Sequence, residues 1–395
     1  MGWNEFAGLA SHLTGGAAFL GMAQSLAGVV AVRRFAARPP PPSTAFPPVT
    51  VLKPLHGDEP LLAEALATFC AQDYPVFQIV FGVAHAQDPA VAAVAALRER
   101  FPETEITLVV CGEQHGSNRK VSNLINMARV ARHDLLVIAD SDLHVAPDYL
   151  HRVVAEFERP GTGLVTTLSV GLPATRRLPE RLAATQITYT FLPGVLLGRA
   201  LGRQDCLGVT MAVRADTLAR AGGLLALADH LADDAVLGGL VRAQGLAVRL
   251  AATLPATTVA EATLADGFEH ELRWARTIRA QAPAGYAASA LQYPIVWAVM
   301  AAILSGLALP LVTLVAVAWA VRAVTAWQID RVLRPLGSGA ARRALRVPVL
   351  LLPLREAMSV VVMLASYRTR RVSWRGHTMV AHRRTAPGPT EPARG

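Results

Sequence analysis

The chain carries two textures of hydrophobic pattern. Four short runs, VTVLKPL (49–55), FQIVFGV (77–83), EITLVV (105–110) and LLVIA (135–139), are apolar, rich in β-branched residues and bounded by turn formers, which predicts strands. The stretches between them, 59–71, 88–100 and 120–131, have helical spacing. This alternation predicts an α/β domain over 49–285 with a mostly parallel sheet and helices on both faces. Its ligands are expected outside the carboxyl ends of the strands. The second texture is long and uncharged. Residues 13–32 suffice to cross a bilayer, within an N-terminal transmembrane helix expected over 8–33. After Arg279 no formal charge recurs until Arg322, room for a pair of crossings within 286–328, roughly 290–309 and 310–327, with Pro310 near the turn. A third apolar segment, 347–367, is interrupted by Arg355-Glu356. Such a pair is costly in lipid and prefers a protein-lined position, so a re-entrant or obliquely packed segment is expected there. A proline-rich linker (34–48) and a basic tail (368–395), its end disordered, complete the organisation.

Composition reinforces the membrane reading. The chain is 52% hydrophobic and only 17% charged, too apolar for an ordinary soluble enzyme of 395 residues. The arginines behind the net charge of +9 cluster beside apolar segments, where anionic headgroups are simpler partners than nucleic acid; aromatics are few and not interleaved with them. Positive charge follows the first apolar run, which disfavours a cleavable signal peptide. By the same asymmetry Arg33, Arg34 and Arg38 lie in the cytoplasm and the N-terminus outside, with the tail also placed in the cytoplasm. Cys70, Cys111 and Cys206 lack CxxC spacing and read as reduced, buried fillers.

Polar residues punctuate the α/β region in a particular order. Asp140 and Asp142, directly after LLVIA, project to one side of an extended backbone and form a two-carboxylate claw suited to Mg²⁺ or Mn²⁺ on a diphosphate. A helix-capping turn is the bland alternative. Asp233 and Asp234 offer a cap and a base, or a helix N-terminus using both carboxylates. Lys120, near a helix start after Gly116 and Asn118, suits phosphate; otherwise it is a solvated lysine on a capped helix. In FEHELRWARTIR (268–279), Arg273 and Trp274 suit either an interfacial helix or a site that neutralises a leaving diphosphate beside an apolar wall. The apolar stretch 187–202 is a membrane-lying surface or a buried core helix.

Taken in order, VLKPLHGDEP, QDYP, DPAV, KVSNLINM, DSD, GVTMAVRADTLARAGG, LADD, HELRWARTIR, LPLREAMS and VSWRG, across roughly 49–380, resemble glycosyltransferase family 21, the ceramide glucosyltransferase-like enzymes, and within it a bacterial hopanoid-biosynthesis branch. The resemblance implies a GT-A type, Rossmann-like catalytic domain with membrane helices at both ends. It implies that Asp88, Lys120, Asp140 and His270 bind a UDP-sugar, that Asp140 and Asp142 hold Mg²⁺ or Mn²⁺, and that Asp234, with Asp233, Arg273 and Trp274, carries catalysis. His270 stands where relatives have Arg or Gln, Leu192 where animal relatives have an acceptor-region histidine, and WRGH departs from the usual sequence after WRG.

The expected activity is inverting transfer of a sugar from a UDP donor to a lipid hydroxyl, with N-acetylglucosamine to a hopanoid polyol such as bacteriohopanetetrol preferred and glucose to ceramide next. Partners are then the donor, the lipid acceptor and the membrane, with no nucleic acid. The setting is a bacterial inner membrane, with several crossings and the catalytic domain cytoplasmic. A transporter or a non-catalytic lipid-binding protein is the reading from another class.

Overall fold

The computed structural model describes residues 3–42, 45–337, 339–369, 371–374 and 377–380. Twelve strands are described: β1 Val49–Pro54, β2 Phe77–Val83, β3 Glu105–Val110, β4 Leu135–Ala139, β5 Leu143–His144, β6 Thr162–Thr166, β7 Val170–Pro173, β8 Thr210–Arg214, β9 Ala247–Leu250, β10 Ala256–Val259, β11 Arg371–Trp374 and β12 His377–Val380. The principal sheet has seven strands in the order β3-β2-β1-β4-β8-β6-β9. β1 to β4 run parallel; β8 lies antiparallel between β4 and β6, and β9 runs parallel to β6.

Side chains alternate across this sheet, and both faces are covered. Val49, Val51, Ile79, Phe81, Leu135 and Val137 enter one apolar core, while Leu52, Val80, Leu136 and Ile138 enter the other. That double burial explains why the four runs read as continuously apolar. Helices Leu62–Cys70, Ala90–Arg100 and Arg119–Ala128 occupy the connections. A second sheet, β5-β10-β7, begins two residues beyond Asp140-Ser141. β10 pairs antiparallel with β5 and parallel with β7, placing an anchored platform beside the end of β4.

Among the described residues three helical segments are long and apolar enough to cross a membrane: Glu5–Ala36, Leu309–Leu333 and Val349–Ser366. Of the pair of crossings expected over 286–328, the second falls within Leu309–Leu333, whereas the first meets a bend. Pro283–Gln292 and Pro294–Leu304 meet at a 68° bend, a broken span or a re-entrant loop. The latter helix has 11 residues. At 1.5 Å per residue it reaches only about 16 Å, half the hydrocarbon thickness. Conversely, Val349–Ser366 has 18 residues, about 27 Å, so length does not require the re-entrant geometry expected there. The arginine and glutamate inside it are accommodated as anticipated, in contact with protein: Arg355 meets Glu271 and Glu356 meets Arg322. The segment 187–202 forms one π-helical turn, Ile187–Phe191, and the helix Leu192–Ala200. Tyr189, Leu192 and Leu196 are buried in a core shared with Val29 and Val32 of the first helix and Ala326 of Leu309–Leu333. β11 and β12 form a hairpin within the basic tail; the end expected to be disordered lies outside the described residues. Cys70 and Cys206 are buried free thiols, whereas Cys111 is partly exposed.

Candidate active site

The ends of β1 and β4 meet at a buried lysine. Lys53 lies in an otherwise uncharged strand, with Nζ 2.6 Å from the Asp140 carbonyl oxygen and 3.6 Å from the centre of the Phe69 ring. Burial pulls its pKa down to about 7 despite the nearby charges of Asp142 and Asp140. Asp142 is fixed on its other side by the platform sheet. Thr257 Oγ1 donates to its Oδ2 at 2.7 Å, and the Thr258 N–H donates to its carbonyl at 3.0 Å. Burial, then the charge of Asp140, raises the Asp142 carboxyl to about 7. Between the two aspartates, Ser141 Oγ donates to Glu59. Asp140-Ser141-Asp142 leads into β5 and caps no helix, so the bland reading of that triplet fails.

Two helix starts complete the acidic rim. Asn118 accepts from the Val121 N–H and caps Arg119–Ala128. It is approached closely from the chain around Ala228: a Cβ on Gly116 would lie 2.6 Å from the Ala228 carbonyl oxygen. Lys120, in the first turn, ion-pairs with Asp140 at 2.7 Å and stands 3.7 Å from Asp233. Burial alone would lower its pKa, but Asp140 and Asp233 outweigh burial and hold the ammonium charged. Asp233 and Asp234 open the helix Asp233–Ala243, so helix start and chemical cluster coincide. The buried Asp233 Oδ2 has no hydrogen-bond donor among the described residues. Asp234 Oδ1 accepts from the Ala235 N–H at 2.7 Å. Burial, then the charge of Asp233, raises the Asp234 carboxyl to about 7. Gly208 leaves room beside it, since a Cβ there would approach Asp234 Oδ2 to 3.2 Å.

Asp88 sits at the same edge of the sheet, beyond β2. Both carboxylate oxygens accept from the Gly57 N–H, at 3.0 and 3.1 Å, and Oδ1 also accepts from Ala90 N–H. It therefore ties the loop after β1 to the start of Ala90–Arg100. His270, Arg273 and Trp274 lie on another helix, Leu264–Gln281, started by a reciprocal cap between Thr263 and Asp266. His270 Nδ1 is 2.5 Å from Glu261 Oε1, and the His270 and Trp274 rings meet edge-on at 4.6 Å. Trp274 is 37% exposed and Arg273 is half-buried one turn after His270.

Lys120, Asp140 and Asp233 are thus in direct contact, with Asp142 and Asp234 felt electrostatically within the same cluster. Asp88 shares the edge without joining that cluster by hydrogen bonds, and the hydrogen bond of His270 goes to Glu261. Lys120 is not a solvated lysine. Sequence reasoning overlooked Lys53, Glu59, Thr257, Glu261 and Glu271. Lys53 carried a visible signal, a cation inside a strand whose other residues carry no charge; the others become neighbours only through the tertiary fold.

The match to known proteins extends along most of the chain. The model for Glycosyl transferase family 21 matches residues 14–386. The chain belongs to glycosyl transferase family 21. Among similar proteins, Ceramide glucosyltransferase 1 of Caenorhabditis elegans is 25% identical over 245 residues, 61% of this chain and 52% of the relative. Ceramide glucosyltransferase of Komagataella phaffii is 31% identical over 116 residues, 28% of this chain and 23% of the relative. The chain therefore spans about half or less of the curated relatives it matches. A solved mannosyltransferase of Pyrobaculum calidifontis, in complex with GDP-Man and Mn²⁺, is 19% identical, with a TM-score of 0.52 over 92% of this chain and 99% of that one. This similarity shows the GT-A-like fold of the family 21 chain.

Proposed function

We propose that this family 21 chain is an inverting membrane glycosyltransferase moving a hexose from a UDP-sugar to the hydroxyl of a membrane lipid. The reading is carried by one observation: Asp140, Asp142, Asp233 and Asp234 gather with Lys120 at the carboxyl edge of the parallel sheet. Asp234 takes the proton of the acceptor hydroxyl as that oxygen bonds to the anomeric carbon and the bond to UDP breaks. No carboxylate forms a covalent intermediate, so the configuration inverts. A carboxyl held near pKa 7 is matched to this task. Asp88 and Lys120 bind the nucleotide and its phosphates, His270 helps to hold the donor, Arg273 neutralises the departing diphosphate, and Trp274 walls the acceptor.

The donor set fits Mg²⁺ or Mn²⁺. Asp140 and Asp142 are hard oxygen ligands; burial first and then the charge of Asp140 raise the Asp142 carboxyl, a situation that a divalent cation would relieve. Among the described residues no group of three His, Cys, Asp or Glu is arranged to hold a metal. Asp140 and Asp142 would hold the ion, with diphosphate and water filling its remaining positions in the usual mode for these ions. When bound, the cation offsets charge developing on the diphosphate.

Two acceptors are proposed. Transfer of N-acetylglucosamine to a hopanoid polyol rests on the family resemblance alone; transfer of glucose to ceramide is favoured by the names of the curated relatives. The proposed setting is a bacterial inner membrane with the α/β domain cytoplasmic, consistent with arginines after the first span. Purified protein in nanodiscs should be given UDP-glucose and UDP-N-acetylglucosamine with ceramide and with bacteriohopanetetrol, and the products weighed. A single glycolipid product identifies the pair; no product from any combination, nor from a total lipid extract, refutes the enzyme reading.

A further inference from the structure

The membrane part contains a polar hub that the proposed chemistry does not use. Arg355, 1% exposed, forks onto Glu271, with Nη1 and Nη2 at 2.6 and 2.7 Å from the two carboxylate oxygens. Its Nε and Nη2 also donate to Ser359 Oγ, at 3.2 and 3.1 Å, and Nη1 to the Leu182 carbonyl at 3.4 Å. Ser359 in turn donates to Gln186 Oε1 at 3.0 Å. Glu271 lies on the helix Leu264–Gln281, immediately after His270 and two residues before Arg273. Leu182 and Gln186 belong to the helix that runs into the π-helical turn at 187.

We infer that Arg355 is a positioning residue for sugar transfer, fixing from within the membrane part both the helix that bears His270, Arg273 and Trp274 and the approach to segment 187–202. This rests on the glycosyltransferase reading. The physical case is the fork. Packing alone would be met as well or better by apolar side chains, because desolvating two charges offsets most of their attraction. What the planar guanidinium adds is orientation: two parallel hydrogen bonds set the rotation of the Glu271 turn, which a methyl contact would leave loose. Transfer geometry is sensitive to such looseness, because a shift of about 1 Å can cost a hundredfold in rate.

Two variants in nanodiscs test it: Arg355→Lys, which keeps the charge but loses the fork, and the apolar double variant Glu271→Met with Arg355→Met. In both, kcat is expected to fall by about tenfold or more. UDP affinity, which rests mainly on Asp88 and Lys120 outside this helix, should fall less than kcat, the thermal midpoint should stay close to wild type, and amides of 268–276 should exchange about tenfold faster while β1 to β4 remain unchanged. Wild-type kcat with wild-type exchange in either variant overturns the inference. So does a parallel loss of kcat, UDP affinity and thermal midpoint, which marks a merely structural pair. If the wild-type protein transfers no sugar to any lipid, the glycosyltransferase reading fails first, and the exchange measurement still decides whether Arg355 fixes the helix.

Discussion

As the proposed base, Asp234 has to be buried enough to hold a proton near neutrality and open enough to meet an alcohol. Burial and Asp233 raise it to about 7, while Gly208 leaves space on one side. Replacing it by asparagine removes the base but keeps the shape, so kcat should fall by about 10²- to 10⁴-fold with UDP affinity little changed. The sign of the pH effect follows. The base works ionised, so kcat/KM should rise with pH through about 7 and fall tenfold per unit below it; a flat profile from pH 5 to 8 would exclude this assignment. Asp142→Asn should weaken the metal dependence more than the donor site as a whole, read as a rightward shift in the Mn²⁺ concentration needed for half-maximal turnover. At this scale the sequence exposed the carboxylates because each interrupts an apolar run. Glu59 and Thr257 stayed invisible since ordinary surface residues elsewhere look the same, and only the fold brings them to the DSD turn.

Strands and helices of the α/β domain were legible because their signals are local. Apolar runs bounded by turn residues gave β1 to β4 their limits, and the Asn118 cap lies in the sequence ahead of its helix. The membrane elements were harder, since a break depends on what lies opposite. Pro294 starts its short helix, and the Ile295 N–H is taken by Glu356 Oε2 at 2.8 Å, a partner 61 residues away. A hydropathy run merges the two pieces that this contact helps to separate. The start of Leu264–Gln281 offers a local test. Thr263→Ala removes the acceptor for the Asp266 N–H and should cost about 1 kcal/mol, visible as a lower thermal midpoint. Its effect on kcat should be far smaller than that of Arg355→Lys, because the cap holds one end of the helix whereas the arginine is proposed to fix the turn that bears His270 and Arg273.

Over the whole molecule, charge is spent inside the membrane part to join elements distant in sequence. Arg322 Nε meets Glu356 at 2.8 Å and the same guanidinium reaches the Tyr189 carbonyl at 3.3 and 3.4 Å. Arg322→Met would leave a buried carboxylate unmatched at a cost of about 3–5 kcal/mol, so its midpoint in detergent should fall well below that of a variant in which both partners are apolar. The first helix takes part in the same assembly. Ser11 donates to the Ala301 carbonyl at 3.1 Å, a Cβ on Gly21 would collide with the Leu291 carbonyl at 2.2 Å, and Arg33 donates to Gln328 at 2.8 Å. That helix is consequently a fitted part and no interchangeable leash: a chimera given a foreign signal anchor of equal length would still reach the bilayer, yet its bulkier surface would find the groove at Leu291 closed to it.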